Sequence, residues 1–570
     1  MSESIKRSAS PQAGEGAAKR VRIEEPASEP AGAAAPKAEP APEPAAPAAP
    51  KTEPATAESS AASETKPARD PRPNRNTGGN LDTARAGGTG RAETEDGETG
   101  ARLPKRKVAV LFGYCGIGYS GLQINPGVKT IEGDIFDAFC TAGAVSKENA
   151  VNPVKVGLQR AARTDRGVHA AGNLLNLKLI LDPPGIPPGT LVEHINTKLP
   201  PFIRIWGLTR VQNSFNARTS CDSRLYEYLL PTYVLLPPKP GSAMHEMMLK
   251  WQASEEEALA KSSKSDEEKA AARASKTPLQ ELLEHDFWKT QGTEHTYQED
   301  VSAKKKWRID AAHLENLRGA FAKYQGSHNF HNFTVGKEFR DRSAQRVMKR
   351  LEISDAKEIN GTEWVSITFH GQSFMLHQIR KMIGLLVLVG RLGAPASLIP
   401  ELYGPARVHV PKAPGLGLLL EEPFFHGYNR KLEDARARPG GGQGEDREFV
   451  EYSAFKGQMD EFKQTFIYDR IMQTEEETAE CVCIASSLSF ALADPLDARF
   501  AKWLNYLDVF QGPDFEYLNP RGVIPTAAIL KVGEERRAPG GQPKGSRLFG
   551  DDDDEDAEAL KGGNLADLEG

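Results

Sequence analysis

A carboxylate flanked by two arginines is the feature of this sequence that could most directly do chemistry. Asp165 lies between Arg163 and Arg166, in a segment that the pattern places between two strands. On an extended segment, residues two apart point to the same side, so Arg163 would keep the carboxylate ionised and oriented. Such a carboxylate can act as a nucleophile. Taken alone, the segment favours a simpler explanation, a structural Arg–Asp pair on a tight turn.

A glycine motif offers a second chemistry. Gly116, Gly118 and Gly121 form a G-x-G-x-x-G pattern directly after a predicted strand. A dinucleotide site would need a helix to begin at the third glycine, so that its amide end meets the pyrophosphate. Pro126 and Gly127 follow too soon for a long helix. We therefore expect these glycines to form a tight loop.

Strands and helices alternate around these residues in two segments, 105–236 and 307–427. Each segment contains several strands and two helices, which indicates a sheet-forming unit used twice, with a ligand cleft between the halves. The apolar patterns predict strands at 107–112, 175–181, 202–208, 225–230, 346–353 and 364–370, and helices at 130–144, 191–199, 314–324 and 374–391.

The rest of the chain differs in composition. Residues 1–104 are rich in Ala, Pro, Glu, Gly, Ser and Thr, which predicts a disordered tail, and Lys19 to Arg22 forms a basic cluster typical of a nuclear import signal. Residues 237–306 look like a charged insertion that is helical in part and mostly solvated. Residues 428–535 form an acidic, less regular C-terminal extension, and 536–570 an acidic disordered tail.

Composition argues against membrane and disulfide-rich classes. The chain has 570 residues, 39% of them hydrophobic, and its longest apolar run, Ile383 to Gly390, has eight residues. A membrane-spanning helix needs ~20, so we expect no membrane association. Five scattered cysteines indicate a reducing compartment rather than a disulfide framework.

Charge is unevenly distributed along the chain. Segments 105–236 and 307–427 hold 30 basic and 20 acidic residues, a net charge of +10, so the other segments carry −16 of the total of −6. A basic core suits a polyanionic partner, with nucleic acid the first candidate. An ordinary basic domain would show the same excess, and charge alone does not separate the two.

Five motifs, in the same order along the chain, resemble those of the TruA-type pseudouridine synthases. The resemblance covers both core segments, 105–236 and 307–427. The motifs are Ala162–Ala170, Phe215–Arg218, Ser223–Tyr228, Phe374–Gly384 and Gly415–Leu418. This family implies an α+β fold in which two ferredoxin-like halves form one mixed, mainly antiparallel sheet with a central basic cleft.

The resemblance also implies roles for four residues. Asp165 would be the nucleophile, and Arg163 and Arg380 would keep it ionised. Tyr226 would stack on the uracil once the target uridine has left its helix, and would help to remove the C5 proton. The reaction isomerises uridine, so it requires no cofactor.

A wider set of residues is expected to contact the substrate. Val168 and Leu416 would supply apolar walls for the uracil. The full expected set is Tyr226, Val168, His169, Leu416, His328 and Phe330.

Finer features resemble the eukaryotic tRNA pseudouridine synthase 1 branch of the family. They are the segment His328–Thr334, the charged insertion and the strand Cys221–Thr232. The branch implies a nuclear enzyme, imported through the basic cluster, that modifies several tRNA positions around the anticodon stem, and also small nuclear and messenger RNAs. We expect it to act as a monomer.

A metal site is a weaker expectation. His328 with His331 and Cys481 with Cys483 lack the spacing of structural zinc pairs, although a site assembled from distant residues stays open. We expect no catalytic metal.

Two rival functions remain. One is a catalytically silent RNA-binding protein on the same fold, which should have a broken motif, whereas Arg163, Asp165, Tyr226 and Arg380 are all present. The other is a nucleotide-cofactor oxidoreductase, which Pro126 and Gly127 argue against.

Overall fold

The computed structural model describes residues 103–275, 277–291, 297–438, 447–476 and 500–530. The import-like cluster, the cysteines at 481 and 483 and the acidic tail lie outside these residues. Within them, no helix combines the length and the apolar character that crossing a membrane would require.

The described strands form a single large sheet. They are β1 (Lys105–Tyr114), β2 (Gln159–Arg160), β3 (His169–Ile180), β4 (Ile203–Arg210), β5 (Ser223–Pro231), β6 (Gly326–Asn329), β7 (Gln345–Ile353), β8 (Lys357–Ile359), β9 (Thr362–Gly371) and β10 (Leu418–Phe424). The order is β4-β1-β3-β10-β5-β9-β7-β6, with β2 beside β3 and β8 beside β9. Among these strands, β3 and β10 pair in parallel and the other pairs are antiparallel. The predicted α+β class and the mixed, mainly antiparallel sheet are confirmed.

Strand β10 joins the two segments. It comes from the end of the second segment and lies between β3 and β5 of the first, so that Leu420 is opposite both Ala170 and Tyr226. Strand β5 in turn pairs with β9 of the second segment. The centre of the sheet, where β3, β10 and β5 meet, is therefore built from both segments.

Helices surround this sheet. They are α1 (Ile131–Thr141), α2 (Lys147–Ala150), α3 (Leu191–Asn196), α4 (Ala243–Lys261), α5 (Asp266–Ala274), α6 (Pro278–Leu283), α7 (Asp286–Gln291), α8 (Tyr297–Lys306), α9 (Ala311–Phe321), α10 (Gln378–Leu392), α11 (Leu398–Glu401), α12 (His426–Ala437), α13 (Lys456–Phe462), α14 (Asp469–Glu476) and α15 (Phe500–Asp508). Thr130 caps the N-terminus of α1, since its side chain accepts a hydrogen bond from the amide of Gly133. In the insertion, α5 buries no residue, whereas α4 buries Met244, Met248 and Trp251.

Helix α10 begins four residues later than the apolar pattern predicts. The pattern runs from Phe374, but His377 has a left-handed backbone with φ of 58°, so the right-handed helix begins only at Gln378. Left-handed geometry is unfavourable for residues other than glycine, and it persists only where the surroundings enforce it. Nearly every residue of α10 is buried.

The C-terminal extension is more regular than its composition suggests. Helices α13 and α14 are continuous through a π-helix at Lys463–Tyr468, and they bury Met459, Phe462 and Ile471. Within the described residues the extension is therefore helical, and acidic residues between the apolar ones lower the mean hydropathy of the sequence and hide these amphipathic faces.

This extension covers strand residues that face away from Tyr226. The Phe462 ring packs edge-on against Trp206 of β4, with ring centroids 5.3 Å apart. Lys463 donates to Glu421 of β10 at 2.9 Å, and Tyr468 donates to Glu227 of β5. Strand β3 is consequently buried along almost all of its length, although its alternating leucines would also fit a sheet with one solvated face.

Candidate active site

The segment that carries Asp165 is a tight turn between β2 and β3. The amide of Val168 donates to the carbonyl of Asp165 at 3.2 Å, and Gly167 adopts φ of 74°, which glycine tolerates best. The Thr164 hydroxyl is hydrogen bonded to the Tyr114 hydroxyl at 2.7 Å. These contacts hold the turn, so that Asp165 is partly exposed on a fixed backbone.

Arg224 of β5 supports the strand that leads into this turn. Its guanidinium donates to the carbonyl of Ala161 at 2.7 Å through Nη2 and to the carbonyl of Gln372 at 3.2 Å through Nη1. Arg224 is 3% exposed, and both of these partners are backbone groups. It therefore ties the segment that leads to Asp165 to the second half of the sheet.

The glycine motif packs directly against the Asp165 turn. A Cβ at Gly116 would overlap the carbonyl of Val168, and one at Gly121 would lie 2.8 Å from the carbonyl of Thr164. Gly121 also has φ of 86°. The next helix begins only at Ile131, so the helix start that a dinucleotide site needs is missing at the third glycine. The predicted tight loop is confirmed.

Two side chains from the start of α10 surround the Asp165 carboxylate. Arg380 places Nη1 3.5 Å from Oδ2 of Asp165, and His377 places Nε2 3.6 Å from the same oxygen. The Arg380 side chain is 5% exposed, against 25% for Asp165. Arg380 also donates through Nε to the carbonyl of Ala413 at 2.7 Å, which fixes the direction of its guanidinium. A buried cation held in this way keeps a neighbouring carboxylate ionised.

His377 is a member of this group that was not among the candidate residues predicted from the sequence. The spacing between His377 and Arg380 is the signal that the sequence offers for this residue. Residues three apart at the start of a helix lie on one side, and Arg380 follows His377 by three positions. What could not be read is the left-handed backbone, which turns the imidazole back towards Asp165.

Tyr226 lies on β5 next to this group. Its ring is 6% exposed and meets Phe374 edge-on, with centroids 5.1 Å apart. Burial raises the pKa of the Tyr226 phenol well above its usual range, and the Asp165 charge raises it further. The phenol is therefore protonated at neutral pH, suited to stacking and to hydrogen bonding rather than to acting as a phenolate base.

Tyr228, on the same face of the strand, differs in one respect. Its hydroxyl donates to the carbonyl of Pro414 at 2.8 Å. This bond occupies its only proton and supports the loop before β10. Of the two tyrosines, Tyr226 is the better candidate for a substrate contact.

Val168 and Leu416 are brought together with Arg380. Both are buried, at 2% and 3% exposure. A Cβ at Gly415, next to Leu416, would lie 3.5 Å from Val168 Cγ2 and 3.8 Å from the Arg380 guanidinium carbon. Val168 and the chain neighbour of Leu416 therefore pack beside the arginine, and contact of the two apolar residues with the uracil stays a prediction.

His169 is fully buried and uses both ring nitrogens. Nδ1 accepts from the amide of Gly116 at 3.2 Å, and Nε2 contacts the carbonyl of Leu416 at 3.0 Å, so Nε2 carries the proton. Burial lowers the pKa of His169 to about 4, and the ring is neutral. Its position ties the glycine loop to the Leu416 segment, which makes it a support for the site.

His328 and Phe330 are grouped with other residues. The His328 ring stacks on Tyr403 with centroids 4.3 Å apart, and its Nε2 contacts the carbonyl of Gln325 at 2.8 Å. Phe330 is 0% exposed and packs edge-on against Phe333. Both rings belong to an aromatic cluster around Tyr403 rather than to the group around Asp165.

Arg163 is half-buried beside a second carboxylate, Glu132. Burial raises the pKa of Glu132, and the charges of Arg160 and Arg163 oppose that rise. Arg160 forms the direct ion pair with Glu132. Arg163 therefore lies close enough to Glu132 for its charge to act on that carboxylate, and its expected action on Asp165 stays a prediction. Among the described residues, no group of three or more His, Cys, Asp or Glu side chains is arranged to hold a metal ion.

Comparison with known proteins agrees with this geometry. Residues 320–426 match the family model described as tRNA pseudouridine synthase. The chain is 40% identical over 475 residues to tRNA pseudouridine synthase 1 of Yarrowia lipolytica, covering 80% of this chain and 83% of that protein. It is 46% identical over 352 residues to tRNA pseudouridine synthase 1 of Saccharomyces cerevisiae, covering 58% and 63%. It is also 39% identical over 338 residues to tRNA pseudouridine(27/28) synthase of that yeast, covering 57% and 86%. Because similarity of this degree extends over most of both chains, this chain belongs to the tRNA pseudouridine synthase family of isomerases.

Proposed function

We propose that this chain converts uridine to pseudouridine in tRNA, with Asp165 as the nucleophile. The reaction breaks the N1–C1′ bond, turns the base, joins C5 to C1′ and moves one proton from C5 to N1. Atoms and electrons balance within the nucleoside, so no cofactor is consumed. The observation that carries the proposal is the Asp165 carboxylate, held on a tight turn 3.5 Å from the buried Arg380.

Asp165 would attack the sugar or the base covalently, as carboxylates do in glycoside hydrolysis. Arg380 keeps the carboxylate ionised and, through its bond to Ala413, fixed in direction. Arg163 adds to the positive potential. The apolar wall of Val168 and Leu416 would hold the uracil away from water while the base turns.

Tyr226 would stack on the flipped uracil. Extracting a uridine from its helix costs a few kcal/mol, which base stacking on an aromatic ring offsets in part. Since the phenol is protonated, its contribution to loss of the C5 proton would be as a hydrogen-bonding partner in a relay. Removal of that proton then requires an acceptor other than a Tyr226 phenolate.

The substrate range is proposed to include several tRNA positions around the anticodon stem, and small nuclear and messenger RNAs. One relative is named for tRNA pseudouridine at positions 27 and 28, and several carry the name tRNA pseudouridine synthase 1. The net charge of +10 on the two core segments supports a polyanionic substrate. We also propose a nuclear location, import through Lys19 to Arg22, action as a monomer and chemistry without a metal or cofactor.

The test is pseudouridine formation on a tRNA transcript by the full-length protein. Asp165→Ala and Asp165→Asn should abolish turnover and leave tRNA affinity within about three-fold, because phosphate contacts supply most of the affinity. Pseudouridine formed by Asp165→Ala would refute the nucleophile. A wild-type protein that binds tRNA and forms no pseudouridine would instead identify a catalytically silent RNA-binding protein.

A further inference from the structure

An exposed aromatic ring and exposed arginines lie in the loop between β6 and β7. Phe339 is 40% exposed, which is high for a phenylalanine in this structure. Arg340 and Arg342, on either side of Asp341, are also exposed. A single exposed apolar residue needs no special explanation, so the surroundings of this ring have to supply the argument.

The loop is held in one conformation from within. The amide of Asp341 donates to the carbonyl of Glu338 at 3.0 Å, which closes a turn with Phe339 and Arg340 at its tip. The buried Lys337 donates to the Ser343 hydroxyl at 2.7 Å and pairs with Asp341 at 3.3 Å. A ring presented on such a turn loses little entropy when it binds a partner.

Two contacts from buried side chains also fix the tip of the turn. The Asn329 side chain donates to the carbonyl of Phe339 at 2.8 Å, and the His331 ring meets the Phe339 ring edge-on at 5.5 Å. Asn329 is 7% exposed and His331 1%. One side of the Phe339 ring is therefore supported by the protein while the ring itself remains accessible to solvent.

The loop is anchored at the start of α10, which carries the candidate catalytic residues. Thr334 donates through its hydroxyl to the carbonyl of Leu376 at 3.0 Å, and Lys381 donates to the carbonyl of Thr334 at 3.2 Å. Leu376 precedes His377, and Lys381 follows Arg380. The root of the loop is thus hydrogen bonded to the chain neighbours of the two residues that face Asp165.

The charge of the loop and of the strand that follows is strongly positive. Residues 337–350 contain six basic and two acidic residues. Lys337 and Asp341 compensate each other, and Arg350 pairs with Glu352. Arg340, Arg342 and Lys349 remain on the exposed side. Aromatic rings bind nucleic-acid bases by stacking and arginines bind phosphates, so this combination matches RNA better than an apolar protein surface.

We propose that the turn Glu338–Asp341 is an RNA contact beside the active site. In this contact, Phe339 stacks on an unpaired base near the target uridine, and Arg340, together with Arg342 directly after the turn, binds the phosphates that flank this base. The proposal rests on the proposed function, because the site beside it requires a nucleotide drawn out of its helix. The Phe339 ring, outside the uracil pocket, thereby contributes to the distortion of the RNA around the target uridine.

Affinity and turnover test the ring. Phe339→Ala in the full-length protein should weaken tRNA binding by about five-fold to one-hundred-fold, the range of one base–aromatic stack. Phe339→Trp should restore it. The matched control is Phe449→Ala, because Phe449 is 37% exposed and also lies beside an arginine, with Arg436 4.7 Å from its ring centroid. If Phe339→Ala binds tRNA as tightly as Phe449→Ala does, the contact is refuted.

Salt dependence tests the arginines separately. Arg340→Ala should lower the slope of log affinity against log salt by roughly 0.7–0.9, the loss of one phosphate contact, whereas Phe339→Ala should leave the slope unchanged. Arg273→Ala, at an exposed position of helix α5, which buries no residue, is the control for charge alone. An equal slope for Arg340→Ala and the wild type would refute the phosphate contact.

Photocrosslinking identifies the partner directly. A benzophenone amino acid at position 339 should crosslink to tRNA, and one at position 449 should not. Wild-type turnover of the same tRNA separates this proposal from the proposed function. An inactive wild type whose position 339 still crosslinks would overturn the function alone, whereas an active wild type without a crosslink would overturn the contact alone.

Discussion

Asp165 owes its setting to side chains that are distant along the chain. Arg380 is 215 residues away, yet its Nη1 lies 3.5 Å from the carboxylate. Because Arg380 is almost completely desolvated, its charge acts on Asp165 far more strongly than an exposed arginine would. The same burial makes Arg380 dependent on Asp165 and on the carbonyl of Ala413 for compensation.

Tyr226 gives the first prediction at this scale. Tyr226→Phe keeps the ring that stacks and removes the hydroxyl, so tRNA affinity should stay within about two-fold while the single-turnover rate falls by ~10²-fold, a usual contribution of proton-transfer groups. Tyr226→Ala should lose both. Rates and affinities on one tRNA transcript check this, with Tyr228→Phe as the control. A Tyr226→Phe enzyme with the wild-type rate would limit the residue to stacking.

The second prediction concerns His377. Asn tolerates the left-handed backbone, so His377→Asn should fold normally and yet react about ten-fold more slowly, because one polar neighbour of the Asp165 carboxylate is lost. The measurement is the single-turnover rate from pH 5.5 to 8.5, together with the melting temperature. His377→Ala should additionally be less stable, since it must hold the strained φ without a polar side chain. An unchanged rate and pH profile in His377→Asn would assign His377 to the backbone turn alone.

At the scale of elements, the glycine loop and the Asp165 turn are packed backbone against backbone. Gly116 and Gly121 serve this close packing and do not open a helix. His169 reinforces it, because one ring nitrogen bonds to the amide of Gly116 and the other contacts the carbonyl of Leu416. The position of Asp165 therefore depends on a loop that lies outside the group around its carboxylate.

Gly116→Ala should consequently impair catalysis from outside the site. The added Cβ would overlap the Val168 carbonyl and push the turn, so turnover should fall by at least about ten-fold and stability by about 1–3 kcal/mol. Gly319→Ala is the control, because a Cβ there meets nothing within 4 Å and alanine favours the surrounding helix α9. The measurements are turnover and urea unfolding of both variants. Equal turnover of the two variants would show that the Asp165 turn can shift without loss of activity.

At the scale of the whole molecule, the C-terminal extension is part of the folded core. Glu475 of α14 accepts hydrogen bonds from the hydroxyl of Tyr233 and from the amide of Phe500, which begins α15. Asp508 at the end of α15 pairs with the buried Arg391 of α10 at 2.5 Å and accepts from the amide of Lys239 at 3.4 Å. The extension thereby connects the insertion, α10 and the sheet.

Asp508 tests this connection. Asp508→Ala leaves the Arg391 guanidinium buried without its carboxylate, so the free energy of unfolding should fall by about 3–5 kcal/mol. The control is Asp355→Ala, whose carboxylate is 90% exposed and pairs with Arg318, and which should cost at most about 1 kcal/mol. Urea unfolding measures both. A loss for Asp508→Ala no larger than the control would show that the extension contributes little to the core.

The α+β class and the residues able to take part in chemistry could be predicted from the sequence. Short motifs around Asp165, Tyr226 and Arg380 are local patterns, and apolar periodicity is a local signal of strand or helix, so both can be read before the fold is known. The tight loop at Gly116 could also be predicted, because Pro126 and Gly127 prevent the helix that the alternative needs.

Which of these residues lie together depends on long-range contacts in the fold. His377 lies beside Asp165 on a left-handed backbone conformation, which no sequence pattern predicts. His169, expected to touch substrate, is enclosed because the Gly116 loop and Leu416 close over it, and His328 and Phe330 join the cluster around Tyr403. The physical reason is common to all of them: β10 pairs between β3 and β5, and this long-range pairing, rather than any local preference, sets which side chains are buried together and which remain open to a substrate.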